Sequence, residues 1–392
     1  MINEKSYALG ANRSVIRDLF EYGRQRAAIV GPENVYDYSL GNPSIPAPDY
    51  VNQAIRDILS DTDSLAIHGY TTAVGDYETR KAIADDLNRR YNAGARAEDF
   101  FIGSGAAPEL VAVFQALAVP GAEILAVAPY FPEYKPFVEG TGAAFKVVPP
   151  DVPGFQINLA AVEAMLTPAT QAIIINSPNN PSGVVYTAET LSALGEILTR
   201  KGEEYGHPIY IVSDEPYREL TYGCTAPFIP GIYPNTIVCY SYSKSLSLPG
   251  ERIGYVYVPR QCADAAPLYA AIAGAAREKG HVCAPSLWQK VIARCTHLRP
   301  DLEAYVRNRQ ALYEGLVEMG YEVAKPDGAF YLFVKAPNGD ANEFSDLAKE
   351  KDLLVVPGDG FGCPGYFRLC YCVSYDRIQR SLPIFKALMD EI

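Results

Sequence analysis

One lysine stands in chemically suggestive company. In Cys239-Tyr-Ser-Tyr-Ser-Lys-Ser-Leu-Ser-Leu-Pro-Gly-Glu-Arg-Ile-Gly254 an apolar run ends in a polar turn holding Lys244, with Ser241 three residues before it and Arg252 eight after. A lysine amine freed of its proton is a nucleophile that forms a Schiff base with an aldehyde. A serine hydroxyl and an arginine fork beside it suit a phosphate. In Phe100-Phe-Ile-Gly-Ser-Gly-Ala-Ala-Pro-Glu-Leu110 an apolar run, a Gly-rich turn and a helix start follow in order. Free N–H groups at a helix N-terminus attract phosphate. A dinucleotide fingerprint is the competing reading, but Gly103-x-Gly105-x-x-Pro108 lacks its third glycine. Asp214 follows the apolar run Ile209-Tyr-Ile-Val-Ser213, and Arg368 lies between Phe367 and Leu369, surroundings too apolar for a bare charge. Taken singly, each has an ordinary use: a solvated lysine, a turn, an N-cap, a surface strand arginine.

An aldehyde and a phosphate on one ligand describe pyridoxal 5′-phosphate (PLP). The pattern S-x-x-K-x7-R-x-G around Lys244 resembles the cofactor-lysine motif of class I/II aminotransferases, the fold-type I PLP enzymes. Further stretches are similar in the same order: Leu40-Gly-Asn-Pro43, the Tyr70/Gly75 spacing, Pro129-Tyr-Phe-Pro-Glu-Tyr134, Asn176-Ser-Pro-Asn-Asn-Pro-Ser-Gly183, Asp214-Glu-Pro-Tyr217, Gly328-Ala-Phe-Tyr331 and Arg368-Leu-Cys-Tyr371. The likeness spans roughly residues 35–375. It implies that Lys244 forms the Schiff base and then serves as general base and acid. It implies that Ser241, Arg252 and the amides of Gly105, Ala106 and Ala107 hold the phosphate, with Tyr70 reaching the phosphate of a neighbouring subunit. Phe131 would stack on the pyridine ring, Asn180 and Tyr217 would meet its O3′, and Asp214 would keep its nitrogen protonated, making the ring an electron sink. Gly41, Asn180 and Arg368 would receive the substrate carboxylate.

Strand and helix patterns alternate through residues 98–258, which predicts a mostly parallel sheet flanked by helices. In such sheets ligands gather beyond the carboxyl ends of strands, and Gly105, Phe131, Asn180, Asp214 and Lys244 all follow predicted strands. Residues 3–30 read as a helical arm with Val15, Ile16, Leu19 and Phe20 on one face. Helices are expected over residues 48–59, 77–91, 262–279, 285–297 and 301–319, a strand entering a Gly/Pro turn over 35–43, and strand segments within 321–334 and over 366–372. The expected architecture is α/β, that of a fold-type I PLP transferase, with a smaller α+β domain built from both termini. The division expected is 1–45 (arm and part of the small domain), 46–295 (large PLP-binding domain) and 296–392 (small C-terminal domain).

At 392 residues, 48% hydrophobic and 20% charged, the chain is long enough for two sizeable cores. A net charge of −12 argues against nucleic acid and anionic membrane surfaces as partners. The opening residues lack an apolar h-region, and the chain is read as cytoplasmic. The eight cysteines form no C-x-x-C and the four histidines no ligand spacing, so buried thiols are expected and no metal. The function expected is a homodimeric, PLP-dependent aminotransferase acting on an L-amino acid and a 2-oxo acid, with active sites shared between subunits. A carbon–sulfur β-lyase and a non-catalytic PLP-binding regulatory module stay open as alternatives. Ala107 stands where one subgroup helps bind a dicarboxylate with a lysine, and Arg277 reads as a solvated helix charge beside Glu278. Tyr130 and Tyr331 are expected to line an uncharged pocket, favouring neutral or aromatic donors.

Overall fold

The computed structural model describes residues 1–11 and 14–391. Twelve strands organise it: β1 (Tyr36–Asp37), β2 (Phe100–Gly103), β3 (Glu123–Val127), β4 (Ala144–Val148), β5 (Thr170–Asn176), β6 (Tyr210–Asp214), β7 (Thr236–Ser241), β8 (Gly254–Tyr257), β9 (Tyr331–Lys335), β10 (Leu353–Leu354), β11 (Val356–Pro357) and β12 (Tyr366–Cys370). Seven of them form the main sheet in the order β2-β8-β7-β6-β5-β3-β4. All neighbours are parallel except β8, which runs antiparallel to both β2 and β7. Continuous apolar runs such as Ile173-Ile-Ile175 suit strands covered on both faces. The helices Ala106–Leu117 and Ala265–Glu278 pack together over one face. The helix Ala188–Tyr205 covers the other. Its start is capped by the Thr187 side chain, which accepts from the Thr190 amide, and it ends at Gly206 with φ 78°.

A smaller antiparallel sheet, β11-β12-β9, forms a second core with the helices Glu303–Glu318 and Tyr375–Glu391. The N-terminal segment joins it through β1, which pairs in parallel with β10. The strand of the expected strand-and-turn stretch 35–43 is two residues long, and Gly41 and the residues around it leave the ladder and enter the cleft between the two cores. The strand expected within 321–334 is confined to β9, with Val323 touching it only as an isolated bridge to Val334. In the arm, α1 (Glu4–Ala11) and α2 (Val15–Val30) are separate helices, and residues 12 and 13 of the expected stretch lie outside the described residues. No helix among the described residues is long and apolar enough to cross a membrane.

Candidate active site

A cleft of about 290 Å³ opens beyond the carboxyl ends of the parallel strands. Of the residues singled out in the sequence, Gly41, Ala106, Ala107, Phe131, Asn180, Asp214, Tyr217, Ser241, Lys244, Arg252 and Arg368 line it. Gly105, the N-cap of the helix Ala106–Leu117, stands behind them with φ 93°. A Cβ on it would come within 2.9 Å of Arg252 Nη2. Glycine therefore satisfies the positive φ and lets the arginine lie against the helix start. The start of that helix, Ser241 and Arg252 share the lining of this cleft, a donor set of the kind that suits an anion.

Lys244 Nζ donates to the Gly41 carbonyl at 2.7 Å and lies 5.4 Å from the centre of the Phe330 ring. Burial pushes its pKa down; the guanidiniums of Arg252 and Arg368 add to that, and the Cys372 and Cys370 thiols oppose it. An ammonium in such a place gives up its proton more easily, which makes the amine a nucleophile and a base.

Asp214 closes β6 in register with Asn176, the last residue of β5. Asn176 Nδ2 donates to the Asp214 carbonyl at 2.8 Å, and Asn176 Oδ1 accepts from the Asn180 amide at 2.7 Å, so one side chain fixes two strand ends. Tyr134 Oη donates to Asp214 Oδ2 at 2.6 Å. Asp214 Oδ1 is buried without a hydrogen-bond partner. Burial raises the carboxyl to about 7, the Tyr134 bond lowers it and the Glu215 charge adds to the rise. A buried carboxyl with one oxygen unsatisfied suits a cationic N–H donor arriving in the cleft.

Arg368 is 2% exposed, yet no carboxylate pairs with it among the described residues. Its Nη1 donates to Asn180 Oδ1 at 2.9 Å and its Nη2 to the Ser39 carbonyl, while Nε has no partner. The rings of Tyr331 and Phe361 lie 4.8 and 5.0 Å from the guanidinium. A buried cation held by neutral acceptors and aromatic faces is primed for an anionic ligand. Tyr331 Oη bonds Tyr217 Oη at 2.9 Å, and a Cβ at position 41 would lie 2.1 Å from it. Gly41 is required there by close approach.

One residue expected in the pocket is placed elsewhere, and two expected outside it are indeed outside. Tyr130 does not line the cleft; it is buried against Phe145 in the main core, because the chain turns at the end of β3 and points it inward. Tyr70 is 97% exposed and outside the cleft of its own chain. Arg277 sits exposed in the last turn of its helix, also outside the cleft. Sequence reasoning passed over Asn176 and Tyr134 as site residues, although both stand at fixed positions of stretches it singled out. It also passed over Ile16 and Leu40, which the arm and the turn after β1 bring to the cleft.

A sheet of this order, with its cleft beyond the strand ends and a small domain from both termini, is the scaffold of the fold-type I aminotransferases. The chain belongs to the family described as aminotransferase class I and II, whose model matches residues 33–382. It is 30% identical to a probable aspartate/prephenate aminotransferase of Aquifex aeolicus, over 92% of each chain. It is similar to the crystal structure of an amino transferase from Eubacterium rectale, at TM-score 0.98 and 53% identity, over 100% of this chain and 99% of that one. An aspartate aminotransferase of Thermus thermophilus, solved with maleate, superimposes at TM-score 0.84 and 26% identity over 99% of both. The protein is a PLP-dependent aminotransferase, moving an amino group between an amino acid and a 2-oxo acid. The residues fit that cofactor: an anion cradle, an amine of depressed basicity, an aromatic face at Phe131 and a carboxyl oxygen awaiting a donor share one cleft.

Proposed function

We propose that this cleft transaminates neutral L-amino acids, aromatic ones included, with Lys244 as the base and Arg368 as the carboxylate clamp. When bound, the cofactor supplies an aldehyde to hold the amino group and a ring to accept the electrons released at Cα. Gly105, Ala106, Ala107, Ser241 and Arg252 hold its phosphate, Phe131 covers the ring face, and Asn180 and Tyr217 meet O3′. Asp214 keeps the ring nitrogen protonated, with Tyr134 and Asn176 setting its orientation. Arg368 and Asn180 bind the substrate carboxylate beside the Gly41 backbone. Lys244 Nζ would take the proton from the substrate Cα and hold it for return, serving first as base and then as acid.

The observation that carries the substrate class is the inventory of cations. Among the described residues lining the cleft these are Lys244, Arg252 and Arg368, and the roles above engage all three. Ile16 and Leu40 occupy the outer wall. A distal carboxylate buried there without a partner would cost several kcal/mol. The names of the aspartate aminotransferase relatives favour a second reading, aspartate as donor, which requires a cation from another subunit. Initial rates with phenylalanine, leucine and aspartate against one 2-oxo acid decide between them. The neutral donors are expected to exceed aspartate in kcat/KM by about tenfold or more. Aspartate as the best donor, with its advantage lost in Arg277→Ala, would overturn the assignment.

The same reading makes the molecule a cytoplasmic homodimer in which Tyr70 completes the partner's phosphate site. Tyr70 and Leu65 (84% exposed) lie close together in sequence, an apolar exposure suited to being covered. All eight cysteines are free, as in a reducing compartment. The division at residues 45 and 295 is supported by the separate cores: Cys295 packs with the main sheet, whereas Tyr305 packs with the small one.

A further inference from the structure

Glu109 is a buried carboxyl for which the reaction has no use. It stands in the first turn of the helix Ala106–Leu117 and is 2% exposed, and neither of its oxygens has a hydrogen-bond partner. Its side chain folds down against the sheet, into space that two glycines leave open. A Cβ on Gly103 would lie 2.7 Å from Glu109 Oε1, and one on Gly254 3.0 Å from the same atom. Gly103 and Gly254 are paired across β2 and β8, and Gly254 is paired across β7 with Ser241. That same Cβ on Gly254 would also lie 3.1 Å from the Gly105 Cα. The carboxyl is therefore built into the floor of the phosphate cradle.

Its charge state matters because the helix N-terminus above it must receive a phosphate. An ionised carboxyl there would put two anions at one helix start and compete for Arg252. We propose that Glu109 is held as an uncharged acid beneath the cradle, so that the helix start and Arg252 are left to the cofactor phosphate. A carboxylate in a dry site that makes no hydrogen bond of good geometry, with only the Gly103 amide and Arg252 near it, is the costlier form, and the proton removes that cost. The surroundings agree. Burial and the negative charge of Asp214 on β6 push Glu109 well up, while Arg252 and the Gly103 amide oppose them. The buried Cys239 thiol on β7 is pushed up in the same way, by burial first and by the Glu109 carboxyl next.

The inference rests on the phosphate placement proposed above, and its test separates the two. In infrared difference spectra of the holoenzyme near neutral pH, wild type minus Glu109→Gln should show the carbonyl stretch of a protonated carboxyl. A carboxylate pair of bands in its place overturns the proposal. Glu109→Gln and the isosteric, apolar Glu109→Met should both release cofactor within about threefold of the wild-type rate, since both are neutral. Release faster by about tenfold or more in Glu109→Gln contradicts it. Arg252→Ala should speed release by the same factor in the wild-type and Glu109→Gln backgrounds, because an uncharged Glu109 does not pair with Arg252. Coupling beyond about threefold would show that Glu109 is an ionised partner of Arg252. If Arg252→Ala releases no cofactor, the phosphate placement fails while the infrared band still reports the state of Glu109.

Discussion

Asp214 carries a pH signature of its own. Burial raises its carboxyl from 3.8 to about 7, so between those values the folded chain holds a proton that the unfolded chain has released. The stability this group contributes is therefore full below about pH 4 and lost as the pH rises to about 7. In cofactor-free protein, the melting temperature of the wild type relative to Asp214→Asn is expected to fall across that window and to level off above it. A difference independent of pH would contradict the burial account. With cofactor bound, the same substitution removes the anion facing the ring nitrogen, and kcat should drop by about a hundredfold to a thousandfold. Gly41 makes a second residue-scale case. Gly41→Ala would drive a methyl into Tyr331 Oη, 2.1 Å away, and overpacking of this kind costs about 1–3 kcal/mol. Adding Tyr331→Phe, which deletes that oxygen, should recover much of the lost melting temperature; no recovery would mean that the clash lies elsewhere.

Among the elements, α2 reaches furthest from its own position in the chain. Leu19 anchors it in a small cluster with Val356 and Phe361, and Ile16 beside them lines the cleft. If Ile16 forms part of the substrate wall, Ile16→Ala should lower kcat/KM for aromatic donors by about tenfold while leaving that for alanine within about threefold. Equal losses for both would make the contact structural. What the sequence made legible follows from the same geometry. Lys244, Asp214, Asn180 and Phe131 follow strands whose apolar runs are unmistakable, and a parallel sheet brings such positions to one edge. The helix expected over 77–91 is Tyr77–Tyr91, capped by the Asp76 side chain and ended by Asn92 in the left-handed region. Contacts between distant segments were illegible. Nothing near Gly41 in the chain announces Tyr331, and nothing near Ile16 announces the cleft. Tyr130 and Phe131 are neighbours that point to opposite sides of a turn, which composition alone does not resolve. Nothing in the sequence marks Glu109, and only the glycines facing it show where it goes.

At the scale of the molecule, two cores meet at one cleft, and the proposed dimer would bring Tyr70 of one copy to the cleft of the other. Mixing Lys244→Ala subunits with Tyr70→Phe subunits should restore activity, because each heterodimer then contains one intact site. Parents that are both impaired, with a mixture no better than either, would contradict the shared site. The central claim is narrower: everything converges on the amine of Lys244, set between Gly41, Phe330 and the two guanidiniums. Borohydride reduction of the holoenzyme followed by peptide mapping reads this directly. The account predicts a pyridoxyl group on the peptide containing Lys244, and no label in Lys244→Ala protein that still folds. A label on any other lysine of the wild type would contradict it.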